Sequence, residues 1–218
     1  MTTILLTVIG SRAYGLVGPE SDVDLRGVFV APTTAFWRFA KPPTSVEGPE
    51  PERLDWEVEH FCALALKSNP TVLEVLASPL IRVCTPVGAE LRALLPAFLC
   101  RQAAATFTHT CRRQLDRALA PERPKHKQIM HVIRLGQTAL RLLRTGELSI
   151  AAQDRAALLA VRDGETPLAE SVAWAERVLA DLAAAVPDSP LPETPDTARV
   201  QDWLISVRRR FLDDADPA

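Results

Sequence analysis

Two short apolar runs, with a glycine-serine pair and two aspartates between them, constrain this chain more than any other feature. Thr3 to Ile9 (TILLTVI) is rich in β-branched residues and reads as a buried strand. It stops at Gly10-Ser11, crosses a glycine-containing stretch to Glu20, and resumes strand character from Asp22 to Ala31 (DVDLRGVFVA). Alternate residues of a strand project to the same side, so Asp22 and Asp24 present their carboxylates together. Two carboxylates so placed repel unless a cation lies between them. Mg²⁺ suits the position, because it takes oxygen ligands and shares them with substrate phosphates. Gly10 admits a phosphate close to the backbone and Ser11 adds a hydroxyl donor. Each half of the pattern alone is weak; the order strand, Gly-Ser, turn, Ser-Asp-x-Asp, strand is far more specific.

The rest of the chain supports a small mixed-sheet unit followed by helices. Lys41 to Arg53 carries Pro42, Pro43, Pro49 and Pro51 and reads as a loop. Leu54 to Val58 is a third strand leading into a helix near Glu59 to Lys67. Asn69-Pro70 is a helix cap followed by proline at the first helical position, and Thr85-Pro86 repeats the signature after a strand at Ile81 to Cys84. Helical periodicity then covers about 98–119, 124–145, 151–162 and 166–186. A proline-rich link from Pro187 to Pro195 leads to a last helix, Thr197 to Leu212. The expected class is α/β (α+β), with a core at 1–96 and an all-helical region at 97–218 packed on it.

Charge adds a second indication. Arg101 to Arg144 holds ten Lys/Arg against two acids, net +8, although the whole 218-residue chain is −2. A basic middle section suits a polyanion such as a triphosphate or RNA, and a solvated helical face is the competing explanation. Within it Lys127, His131 and Arg134 stand at i, i+4 and i+7, one stripe of a helix able to grip phosphates. The four cysteines (Cys62, Cys84, Cys100, Cys111) form no Cys-x-x-Cys pair, and no apolar run approaches a membrane span. With no basic leader before the first strand, the reading is a cytoplasmic protein with reduced cysteines, no structural metal and no membrane partner.

GSRAYGLVGPESDVDLRGVFV resembles the nucleotidyltransferase signature of the DNA polymerase β superfamily, and within it the branch associated with RNA repair. Tyr14, Gly15, Arg26 and Gly27 match that branch. So do Lys67, Asn69, Pro70 and Glu74 in LALKSNPTVLEVLASP, the helix KQIMHVIRL, and Arg144 to Leu148. The resemblance implies attack by an acceptor hydroxyl on the α-phosphate of a nucleoside triphosphate, with two Mg²⁺ ions, or Mn²⁺ in their place, held by Asp22 and Asp24. It also implies a third carboxylate on an adjacent strand. Asp55 in RLDWEV is the choice, with Glu57, Glu59 and Glu52 as alternatives. Gly10, Ser11, Lys127, His131 and Arg134 would bind the nucleotide, and the acceptor would be an RNA end. A toxin–antitoxin type enzyme modifying a protein or tRNA, and a non-catalytic nucleotide- or RNA-binding module, are the competing readings. Tyr14 either stacks on a base or packs beneath the turn. Lys67 is either a phosphate contact or a helix-end cation.

Overall fold

The computed structural model describes residues 1–18, 21–120 and 124–212. The end of the Gly10–Glu20 stretch, and Glu122 and Arg123 of the basic segment, lie outside the described residues. The strands are β1 (Thr2–Ile9), β2 (Asp24–Val30), β3 (Ser45–Glu47), β4 (Arg53–Glu57) and β5 (Ile81–Cys84). They form one mixed sheet in the order β3-β4-β2-β1-β5, and with the helices give an α+β fold. β1 is antiparallel to both β2 and β5, whereas β2 and β4 run parallel.

The β-branched run of β1 is buried from Ile4 onward because it lies inside this sheet. Leu5, Ile9, Val28, Val30 and Trp56 join the main core, while Leu6, Val8 and Leu25 form a separate small cluster. Two local expectations change. The Gly-Ser turn is the opening of a short helix, α1 (Gly10–Tyr14). The proline-rich Lys41–Arg53 segment contains β3, which pairs with β4; its prolines flank those three residues and leave an edge strand free to form.

Helices α2 (Val58–Leu66), α3 (Pro70–Ala77), α4 (Pro86–Ala93) and α5 (Leu95–Phe98) complete the first part. The caps act as the sequence indicates: Asn69 Oδ1 accepts from the N–H groups of Thr71 and Val72, and Thr85 Oγ1 accepts from Gly88 N–H. The bundle that follows comprises α6 (Ala103–Leu119), α7 (His126–Thr145), α8 (Arg155–Arg162) and α9 (Leu168–Ala185), with α7 packed on each of the others or between them. Among the described residues no helix is long and apolar enough to cross a membrane. All four cysteines are free, and three are buried.

One cluster of buried residues runs from Ile4 to Phe211, across the expected 96/97 boundary. The last helix, α10 (Thr197–Arg210), leaves the bundle and packs on α2 and α5. Entry to and exit from the bundle lie side by side. Arg101 donates to the carbonyls of Leu191 (2.8 Å) and Ser189 (2.7 Å), and Asp196 N–H donates to Ala97 O at 2.8 Å. Arg208 fastens α10 to the sheet: its guanidinium reaches both oxygens of buried Glu57, at 2.8 and 2.9 Å, and Glu59 at 3.0 Å. Glu57 also accepts from Glu59 N–H as the cap of α2. Replacing Arg208 by Ala strands that buried carboxylate, so it should cost about 3 kcal/mol. A fall in urea midpoint with an unchanged slope checks it.

Candidate active site

β1 and β2 pair so that Ile9 lies opposite Asp24. The chain turns into α1 at Gly10 with φ +74°, and a Cβ there would sit 2.0 Å from Asp24 Oδ2. Glycine is therefore required twice at this position: for the left-handed backbone, and because the Asp24 carboxylate fills the space a side chain would need. Asp22 precedes β2 and is exposed. The loop that carries it is held by Arg12 of α1, which donates to Ser21 O at 3.0 Å and Asp22 O at 3.3 Å. Arg26 Nη1 donates to the carbonyl of Glu52 at 2.6 Å, tying the Asp24 end of β2 to the start of β4. The pairing of Asp22 with Asp24 thus comes from a latched loop beside a strand, not from one continuous strand.

Both aspartates open onto a cleft of about 640 Å³, within the range of small-molecule sites. Gly10 and Ser11 lie at its edge, and Lys127, His131 and Arg134 of α7 line it as the helical spacing requires. Their roles differ. Lys127 is exposed and able to meet an anion. His131 is neutral at pH 7: burial first, then the charges of Arg134 and Lys127, push its pKa down to about 4. Arg134 lies at the cleft floor, 5% exposed. Its Nη2 binds Glu74 Oε1 at 2.9 Å, and its guanidinium lies 3.6 Å from the centre of the Tyr14 ring. The Tyr14 hydroxyl donates to Glu74 Oε2. Burial disfavours the charge of Arg134, but the Glu74 carboxylate outweighs this and holds its pKa above the usual value. Tyr14 therefore packs beneath the turn. Arg134 Nε and Nη1 remain buried without an acceptor among the described residues.

Asp55 is not brought to this cleft. Register sets it opposite Gly27, an odd number of residues from Asp24, and therefore on the other face of the sheet. Its carboxylate lies over Gly27, where a Cβ would be 2.3 Å from Oδ1. Arg53 Nη2 binds it at 2.6 Å, and Asp55 is 3% exposed. Glu57, the last residue of β4, and Glu59 in the first turn of α2 are engaged by Arg208. Glu52 alone among the alternatives sits at the Asp24 end, its carbonyl accepting from Leu25 N–H at 3.2 Å. Lys67 is exposed at the end of α2, outside the cleft lining, as a helix-end cation.

No set of three or more His, Cys, Asp or Glu side chains among the described residues could hold a metal by itself. Asp22 and Asp24 fit a cation whose remaining ligands arrive with a phosphorylated substrate, as Mg²⁺ prefers. Sequence reasoning assigned no role to Arg12, or to Thr110, Arg113, Gln114 and Arg117, which form the α6 wall of the cleft. The spacing i, i+3, i+4, i+7 was the available signal for that wall.

A sheet whose first strand runs into Gly-Ser at the opening of a short helix, with paired aspartates beside it and a helical wall opposite, defines a polymerase-β-like nucleotidyltransferase framework. The chain belongs to the RNA repair pathway DNA polymerase beta family (RlaP), whose sequence profile matches residues 1–206. It is also 30% identical over 130 residues to the uncharacterized protein YcgL of Bacillus subtilis (strain 168), covering 57% of this chain and 50% of that protein. The match thus spans about half the length of that relative. No solved structure matches.

His131 gives this site a pH signature. Its folded pKa lies below the unfolded value near 6.5, so its contribution to stability is complete above about pH 6.5 and is lost as pH falls toward about 4. His131→Gln should remove on the order of 1–3 kcal/mol of that dependence. Urea midpoints of both proteins, measured at about pH 7 and about pH 5, check it; parallel changes refute it.

Proposed function

We propose that this protein is a Mg²⁺-dependent nucleotidyltransferase that moves a nucleoside monophosphate from a nucleoside triphosphate to a hydroxyl at an RNA end. The observation that carries this reading is the packing of Asp24 on Gly10, with Asp22 beside it, across one cleft from Lys127. Family membership supports the same chemistry through RNA repair.

Each residue then has a task. Ser11 and the α1 backbone orient the outer phosphates, and Lys127 meets their charge from the opposite wall. Arg134, held by Glu74 and Tyr14, adds positive potential beneath the phosphates, and neutral His131 lends a hydrogen bond without adding charge. The acceptor hydroxyl gives up its proton to a carboxylate or to water, its oxygen forms a bond to the α-phosphorus, the bond from that phosphorus to the bridging oxygen breaks, and pyrophosphate leaves. Mg²⁺ or Mn²⁺, two ions in the complete site, held by Asp22 and Asp24 would neutralise the phosphates and lower the pKa of the attacking hydroxyl. Glu52, just before β4, lies beside the Asp24 end of β2 through its main chain and is the alternative to Asp55 for a third carboxylate.

The test is incubation with each labelled triphosphate, Mg²⁺ and either RNA or total protein. Label in RNA ends supports the proposal. Label in protein or in intact tRNA points to the toxin–antitoxin type, and binding without transfer points to a non-catalytic module.

Asp22→Asn, Asp24→Asn and Gly10→Ala should each lower single-turnover transfer by about a hundredfold or more, the last by displacing Asp24. Asp55→Asn weakens a buried ion pair instead. It should cost about 1–3 kcal/mol of stability while its folded fraction keeps transferring. Loss of chemistry in folded Asp55→Asn, with Glu52→Gln unaffected, would return the third role to Asp55.

A further inference from the structure

Charge on the two walls of the cleft is unevenly matched. Glu74 answers Arg134, and Arg26 stands 4.0 Å from Asp24. Arg53, Arg208 and Arg210 are likewise paired, with Asp55, Glu57 and Glu90, whereas Arg112, Arg141 and Arg144 are unpaired among the described residues but lie outside the cleft lining. Of the arginines that line the cleft, Arg113 and Arg117 are the unpaired ones. Both are exposed, both line the cleft, and among the described residues neither makes an ion pair or a side-chain hydrogen bond.

Their direction is fixed by the opposite side of α6. Phe107, Cys111, Leu115 and Ala118 are buried in the core, which turns Thr110, Arg113, Gln114 and Arg117 toward the aspartates. Four residues of helix separate the two guanidinium attachments by about 6 Å, a row one turn long. A triphosphate is compact and is already met by Gly10, Ser11 and Lys127. A row of unanswered guanidiniums on a separate helix fits a second, extended anion, since guanidinium matches phosphate in a two-pronged way. A protein or small-molecule hydroxyl has no such repeating charge.

The geometry points to Arg113 and Arg117 as the contacts for the phosphodiester backbone of a single-stranded RNA, with Gln114 and Thr110 between them. The transferase reading enters only in calling that strand the acceptor. It makes α6 the element that selects RNA over other hydroxyl-bearing molecules.

The experiment measures binding of a short fluorescein-labelled single-stranded oligoribonucleotide, without triphosphate, across a salt series. The proteins are the full chain and its Arg113→Gln, Arg117→Gln and double variants. Circular dichroism checks folding, and the exposed single variants retain a test if the double variant does not fold. The double variant should bind about tenfold or more weakly, and its log–log salt slope should be shallower by about 1.4, two phosphate contacts at about 0.7 each. Each single variant should lose about half of that slope. Tripolyphosphate affinity should stay at the wild-type value. Unchanged RNA affinity and slope in all variants, or a wild-type chain that binds no RNA, overturns the inference. RNA binding that depends on these arginines without any nucleotide transfer would keep the α6 contact and remove the transferase reading. Transfer to RNA by a double variant of wild-type affinity would do the reverse.

Discussion

Glu74 holds together three elements that reach it from distant parts of the chain. One of its oxygens takes the Tyr14 hydroxyl from α1, the other takes Arg134 from α7, and Glu74 itself stands on α3. A buried carboxylate is tolerated only when its charge is met, and a buried guanidinium likewise. Each partner therefore enforces the position of the others. The helix after Gly10 cannot shift without stripping a hydrogen bond from Glu74. The bundle cannot withdraw without leaving two charges unpaired. The distance between aspartates and cationic wall follows from this connection, and Asp24 adds to it by packing against the bare Cα of Gly10.

Local chemistry was legible in the sequence because it is decided within a few residues. The caps at Asn69 and Thr85, the strand before Gly10 and the stripe of Lys127, His131 and Arg134 needed only spacing and propensity. What escaped was set by partners far along the chain. The face on which Asp55 lies depends on the register between β2 and β4, and one residue of difference moves a side chain through the sheet. The stripe on α7 reads as three cation-capable groups on one face. Glu74, 60 residues before Arg134, claims one of them, and burial keeps the middle one neutral. Glu57, a sequence candidate for metal chemistry, serves a helix whose pairing arginine lies 151 residues later.

The basic middle section divides along similar lines. Arg101 is consumed in the backbone contacts at the foot of the bundle, and Arg134 in the floor. Among the described residues, Arg113 and Arg117 of α6 and Lys127 of α7 are the exposed cations of this section that line the cleft. A count of charges over forty-odd residues thus overstates what an anion meets, while the direction of each helical face gives the smaller set that matters.

The joint at Arg101 also bears on the architecture as a module. The chain enters the bundle and leaves it at adjacent points, and α10 then settles on the sheet where α2 begins. In topological terms the four helices are an insert spliced into a protein that is otherwise closed by its own last helix. An insert with neighbouring ends can lengthen, shorten or change its outer faces while the host keeps its path. The chain thus crosses between host and insert at one place, while the inner faces of the insert stay tied to the host through Arg134 on Glu74 and Arg155 on Gly15 O.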